Sequence, residues 1–441
     1  MSARKIAIVG AGPVGLEAAL RARREGHEVR LYEAGRVAEH YARYGPVRLF
    51  TPFHMNSTEL GRGLLRAAGL KLPGDDEALT AVELRDRYLL PLSRLPELAG
   101  VVREGARVAA IAREGIAKGR MEGRASRPFL LRIENARGGL MGHERADVVI
   151  DASGLYANPN ATGSGGLPAP GEETPGARFE RHLPDVRGEA RSRYAGKRLL
   201  LIGDGRSAAN VIADLDALIR EGGDAARTRV EWVHRDRGGE AFAPVPADAL
   251  AQLPVLRELT ERTNRIAREA AWIGHHAGAT VAAYRLLPSG AVEVTLADER
   301  GAETGIEVDR VLALVGYRPD LSLFRELQIH LCYASEGPMA LAAAILASQA
   351  KDGDAPPDCL DQVSHGPETL KNPEPDFYIL GAKSYGRNAY FLLRLGHQQI
   401  EDVMSLLAAS PRAVRGVASK MKDEGMAGQG VVGPAPHDIG P

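Results

Sequence analysis

The chain has 441 residues, a formal net charge of −1, a pI near 6.9 and 44% apolar residues. It is long enough for two or three domains around a sizeable core, and its charge balance leaves no global field to attract nucleic acid or an anionic membrane surface. Only two cysteines occur, Cys332 and Cys359; they read as buried or free thiols, and their spacing with His330 and His365 matches no metal-ligand pattern, so no metal is expected.

Taken in order, the first strand opens at about Lys5, and no apolar run approaches the roughly 18 residues of a membrane span. A cytoplasmic protein without a membrane partner is expected. Ala7-Ile8-Val9 leads into Gly10-Ala11-Gly12-Pro13-Val14-Gly15, a helix follows, and a second strand runs from Val29 to Glu33. This is a βαβ unit whose glycines let backbone N–H groups approach a pyrophosphate at the positive end of a helix. Glu33, at the end of the second strand, suits the hydroxyls of an adenosine ribose and would repel a 2′-phosphate. Segments 107–113 and 129–134 read as strands, and residues 146–152 form an apolar run that stops against a ligand at Ser153-Gly154. Residues 155–176, rich in Gly, Pro, Asn and Ser, mark a crossing between domains.

A second fingerprint follows another apolar strand: Gly203-Asp204-Gly205-Arg206-Ser207-Ala208. Ser207 is a candidate phosphate donor, or simply an early helix residue. Its later strand, Val230–Val233, ends at Arg235 and Arg237, where guanidinium groups suit bidentate capture of a 2′-phosphate. The first site therefore takes FAD and the second NADPH. Further on come a strand at 376–380, a glycine-bearing loop at 381–388, a helix from about Tyr390 to Leu407, and a tail from about 420 expected to be disordered.

Two fingerprints with opposite charges at the matching strand ends resemble the two-dinucleotide-binding-domain flavoproteins, a group that includes thioredoxin-reductase-like oxidoreductases and flavin-containing monooxygenases. The resemblance implies an α/β protein with two Rossmann-like, doubly wound domains, the NADPH domain inserted in the FAD domain. FAD-binding pieces are expected at 1–165 and 317–408 and the NADPH domain at 190–316, with the tail at 420–441. FAD contacts are implied at Gly10, Gly12, Pro13, Gly15, Glu33, Gly154, Gly381, Lys383 and Arg387, and NADPH contacts at Gly203, Gly205, Ser207, Ala208, Arg235 and Arg237. Where relatives end the last FAD strand in Gly-Asp, this chain has Gly381-Ala382-Lys383. Its positively charged side chains, or the backbone, must then supply the ribityl or pyrophosphate contacts.

Departures from the family patterns bear on the chemistry. The chain has no C-x-x-C, and Val14 lies where some single-cysteine relatives place a thiol beside the flavin. The monooxygenase fingerprint before the second unit is degenerate: His182 lines up, the Phe-x-Gly does not. The segment 49–60 resembles the loop that approaches the flavin ring, which makes Asn56 a candidate contact to a C4a-hydroperoxide and His54 a candidate donor. Asn56 as a helix cap and His54 as a packing or surface residue are the plainer readings. The function expected is an FAD-containing, NADPH-dependent monooxygenase oxygenating N or S of a small molecule with oxygen. A flavin or disulfide-type reductase with an external acceptor is the first alternative, and a non-catalytic redox sensor or scaffold the second. No nucleic-acid partner is expected; a homodimer is left open.

Overall fold

The computed structural model describes residues 3–235, 238–242, 253–351, 364–389 and 391–409. Arg237, Cys359, Tyr390 and the 420–441 tail lie outside the described residues.

Along the chain, β1 (Lys5–Val9), α1 (Pro13–Arg24) and β2 (Glu28–Tyr32) form the first crossover unit. They are followed by α2 (Glu39–Tyr44), α3 (Glu59–Ala67), α4 (Ala81–Leu84) and α5 (Leu90–Ser93), the last two joined by a π-helical turn, Arg85–Leu89. Then come β3 (Val102–Arg103), β4 (Ala106–Arg113), β5 (Phe129–Asn135), β6 (Leu140–Ala146) and β7 (Val148–Asp151). A second set comprises β8 (Phe179–Glu180), β9 (Arg198–Ile202), α6 (Arg206–Arg220), β10 (Arg229–His234), α7 (Pro254–Glu269), β11 (Ile273–Ala277), β12 (Thr280–Leu286), β13 (Val292–Ala297), β14 (Glu303–Val308) and β15 (Arg310–Ala313). The chain closes with α8 (Met339–Lys351), β16 (Phe377–Ile379) and α9 (Leu393–Ala409).

Two five-stranded parallel sheets result, ordered β16-β7-β1-β2-β3 and β11-β10-β9-β15-β8, each accompanied by an antiparallel three-stranded sheet, β4-β5-β6 and β12-β13-β14. The central strands are apolar on both faces, as parallel strands covered on two sides must be. Ile6, Ile8, Leu31 and Ile150 face α1 and α9, whereas Ala7, Val9, Val149 and Ile379 face the β4-β5-β6 sheet with Phe324 and Phe377. The first sheet takes its last strand from beyond the second sheet in sequence, so the second unit is inserted into the first.

One buried charge cluster ties these pieces together. Glu374, fully buried, accepts from Arg113 Nε at 2.7 Å, Arg124 Nε at 3.0 Å and the Gln328 amide at 2.9 Å. Burial alone pushes its carboxyl up, but these partners hold it below the usual range.

Candidate functional site

Both glycine turns sit at the carboxyl ends of parallel strands, where the strand order switches direction. In the first, Gly10 has φ +97°, and a Cβ there would lie 2.7 Å from the Ala152 carbonyl oxygen; a Cβ on Gly15 would lie 1.9 Å from the Gly10 oxygen. Glycine is therefore required for β1, β7 and α1 to converge. Gly12 begins α1 in extended conformation and no side chain caps the helix, so first-turn N–H groups remain for an anion; Pro13, which lacks one, follows. Glu33 stands at the mouth, accepting from Ala11 N at 2.8 Å and Gly35 N at 2.9 Å. Gly154, φ +69°, has open space where a side chain would be. An uncapped helix start, a cradle that a Cβ would fill and a carboxylate at the ribose position together fit FAD.

The second turn repeats the construction. Gly203 has φ +116° and a Cβ there would lie 2.4 Å from the Leu314 oxygen; Gly205 opens α6 uncapped, Ser207 is in its first turn and Ala208 is buried. Arg235 follows β10 as the sequence implies, but its guanidinium is forked onto Asp204 of the turn itself, Nε to Oδ2 at 2.9 Å and Nη2 to Oδ1 at 2.8 Å. Beside it a cavity of about 540 Å³ opens, lined by His234, Glu240, Arg268, His275 and Ala277, at the ends of β10 and β11. Behind its two histidines the buried Trp232 stacks on Phe242 at 5.3 Å, with the His234 and His275 rings within 5.5 Å.

The structure places the remaining candidates less favourably for direct contact. Asn56 is buried and spends its whole amide inside its own loop: Nδ2 donates to the Thr51 and Pro52 oxygens at 2.9 and 3.1 Å, and Oδ1 accepts from Thr51 Oγ1 at 2.9 Å. It is a brace for the loop. The cap of α3 is Thr58, whose Oγ1 accepts from Gly61 N at 2.9 Å. The His54 side chain is 46% exposed and lies against the Asp75 carbonyl at 3.1 Å. Lys383 is buried, its Nζ 2.7 Å from Asp151 Oδ2 and 3.0 Å from Ser153 Oγ, so its charge is matched and little of it faces solvent. Arg387 pairs with Glu336, Nε to Oε2 at 2.9 Å. Gly381, φ +72°, packs on Val14, and so does Gly396 of α9.

Three features lay outside the sequence reading. Thr58 donates through Oγ1 at 2.8 Å to Glu17 of α1, which also accepts a very short bond from Tyr88 of the π-helical turn. Burial raises the Glu17 carboxyl above its ordinary 4.5, and these hydrogen bonds only partly offset it. Met55 meets Leu253 and Leu256 of the second unit, with Phe50 and Leu392 packed alongside: a buried apolar cluster where the loop, the start of α7 and the start of α9 converge. Finally, Tyr156, His182 and Tyr317 stack where the chain crosses between units, Tyr156 to His182 at 4.4 Å and His182 Nδ1 to Tyr317 Oη at 3.1 Å. Burial first, then Arg43, lowers the His182 pKa, and burial pushes the Tyr156 hydroxyl up to about 12. A charged residue at the end of an apolar strand, Asp151, was the available signal for the Lys383 pair, because a buried carboxylate requires a partner. Cys332 is buried, and hydrogen bonding with Ser335 lowers its thiol.

No protein-family model and no curated protein matches the chain. Among solved structures, the bacillithiol disulfide reductase Bdr from Bacillus cereus superposes with a TM-score of 0.64 at 16% identity, covering 92% of this chain and 99% of that one. The FAD-bound cadaverine monooxygenase DfoA from Erwinia amylovora gives 0.60 at 14% identity, covering 97% and 100%. The ornithine N-hydroxylase of Kutzneria sp. 744, with reduced FAD, NADP⁺ and L-ornithine, gives 0.60 at 15% identity, covering 92% and 99%. The chain therefore adopts the fold of the two-dinucleotide-binding-domain flavoproteins, with a second α/β unit inserted into the first.

Proposed function

We propose that the protein is an FAD-containing, NADPH-dependent oxidoreductase, and specifically a monooxygenase that oxygenates N or S of a small molecule. FAD supplies two-electron chemistry and oxygen activation when bound. The chain's own part is positional. The first turn and Glu33 hold the FAD adenosine and pyrophosphate. The second turn and the cavity beside Arg235 hold NADPH. The buried apolar cluster of Met55, Leu253 and Leu256, with Phe50 and Leu392 packed against it, closes the loop onto the start of α7, and its part in this reading is to keep water out. The observation that carries the oxygenase reading is position 14, where a buried valine packed between Gly381 and Gly396 leaves no thiol at the flavin turn.

The test is product analysis under labelled oxygen with a panel of primary amines and thioethers. Incorporation of one labelled atom per NADPH oxidised supports the reading. NADPH oxidation that only releases peroxide with every substrate opposes it. A second reading, a disulfide-type reductase, is favoured by the 0.64 superposition on Bdr. It predicts NADPH-dependent cleavage of a small disulfide in the absence of oxygen.

A further inference from the structure

The amino-terminal edge of the second parallel sheet, opposite to its nucleotide turn, carries a cavity of about 490 Å³. Four cationic side chains line it, Arg178, Lys197, Arg198 and Arg310, against two carboxylates, Glu307 and Asp309. The carboxylates are already engaged: Arg198 Nη2 bonds Glu307 at 2.9 Å, and the Arg198 amide bonds Asp309 Oδ2 at 2.8 Å. Arg310 is fixed by donating Nη1 to the Ala177 oxygen at 2.9 Å, with its guanidinium 5.9 Å from the Tyr194 ring centroid. Among the described residues neither Arg178 nor Lys197 has an ion-pair partner. The turn between β12 and β13 makes room for one of them. Gly290, φ +83°, has the Arg178 Nη2 2.7 Å from where a Cβ would be, so a side chain there would displace the guanidinium.

We propose that this cavity is an anion site for a small metabolite carrying phosphate or carboxylate groups, separate from both dinucleotide crevices. Separation follows from the strands. β9 runs five residues from Arg198 to Ile202, four steps along the strand, so its two ends stand roughly 13 Å apart at the usual rise per residue. A dinucleotide seated on Gly203 and α6 does not need this edge. Two unpaired cations and two further guanidinium groups held in place provide a fork-like donor set for an oxyanion.

Isothermal titration of the full chain at physiological ionic strength tests this, with inorganic pyrophosphate and citrate as probes, each with and without saturating NADP⁺. Saturable binding of at least one probe, at the same affinity with and without NADP⁺, is expected. The Arg178→Ala/Lys197→Ala pair should weaken it by about tenfold or more, and Arg178→Lys/Lys197→Arg should retain it. FAD content equal to that of the unaltered chain certifies that the variants are folded. No saturable binding of either probe, competition by NADP⁺, or an undiminished affinity in the alanine pair overturns the proposal.

Discussion

Lys383 and Asp151 show how far a residue's role depends on its surroundings. With their side chains 1% and 0% exposed, they form a pair that holds the loop after β16 against the end of β7. An intact buried pair contributes little net stability, but half of one leaves an uncompensated charge. Lys383→Met should therefore cost about 3–5 kcal/mol in chemical denaturation, and Asp151→Leu/Lys383→Met should recover much of that. A single variant as stable as the parent would contradict the pairing. Asp204 governs the second turn in a similar way, because it occupies the Arg235 guanidinium that the proposed reading assigns to a 2′-phosphate. Asp204→Asn should lower the KM for NADPH more than that for NADH. Arg235→Ala should raise the NADPH value by roughly 1–3 kcal/mol, and equal effects on the two nucleotides would reject the assignment. Glu17 carries a pH dependence. Its carboxyl is raised on folding, so the folded state holds the proton more tightly. That contribution is complete below the ordinary value of 4.5 and is lost as pH rises through the folded value. Glu17→Gln should thus be more stable than the parent at neutral pH, with the advantage shrinking in acid; an advantage independent of pH in denaturation curves would count against it.

At the scale of elements, both crossover units were legible because glycine, strand and helix signals coincide there. β1, β9, β10 and β16 fall where apolar runs end at Gly or a charge, and β4 and β5 match segments 107–113 and 129–134 closely. The β12-β13-β14 sheet carries weaker marks. Its strands alternate buried and exposed positions over short lengths, and β14 is mostly exposed. The helix expected from about Tyr390 begins in the described chain at Leu393. Partners in space could not be read from spacing: Arg235 with Asp204, or Asn56 with its own loop, is a choice made by folding. Because each glycine turn is built against its own neighbouring strand, the two should fail separately. Gly203→Ala, meeting the Leu314 carbonyl, should abolish reduction by NADPH while FAD stays bound, and Gly10→Ala should lose FAD. Loss of FAD from the Gly203 variant, measured as flavin absorbance per chain, would show the turns are not independent.

For the whole molecule, the insertion of one parallel sheet within the sequence of another brings two uncapped helix starts into one chain. The crossing between them is held by the stack of Tyr156, His182 and Tyr317, which joins the end of the first unit's β7 loop to the end of β15. The aligned His182 of the degenerate fingerprint thus has a structural place as a ring in that stack. On the proposed reading, electrons enter from NADPH at one turn and reach FAD at the other. Anaerobic titration of the purified protein with NADPH, followed by flavin absorbance, tests it most directly. Yellow protein with one FAD per chain, bleached by one equivalent of NADPH, is the expected result. Protein that cannot be loaded with FAD, or bound FAD that NADPH leaves oxidised, would contradict it.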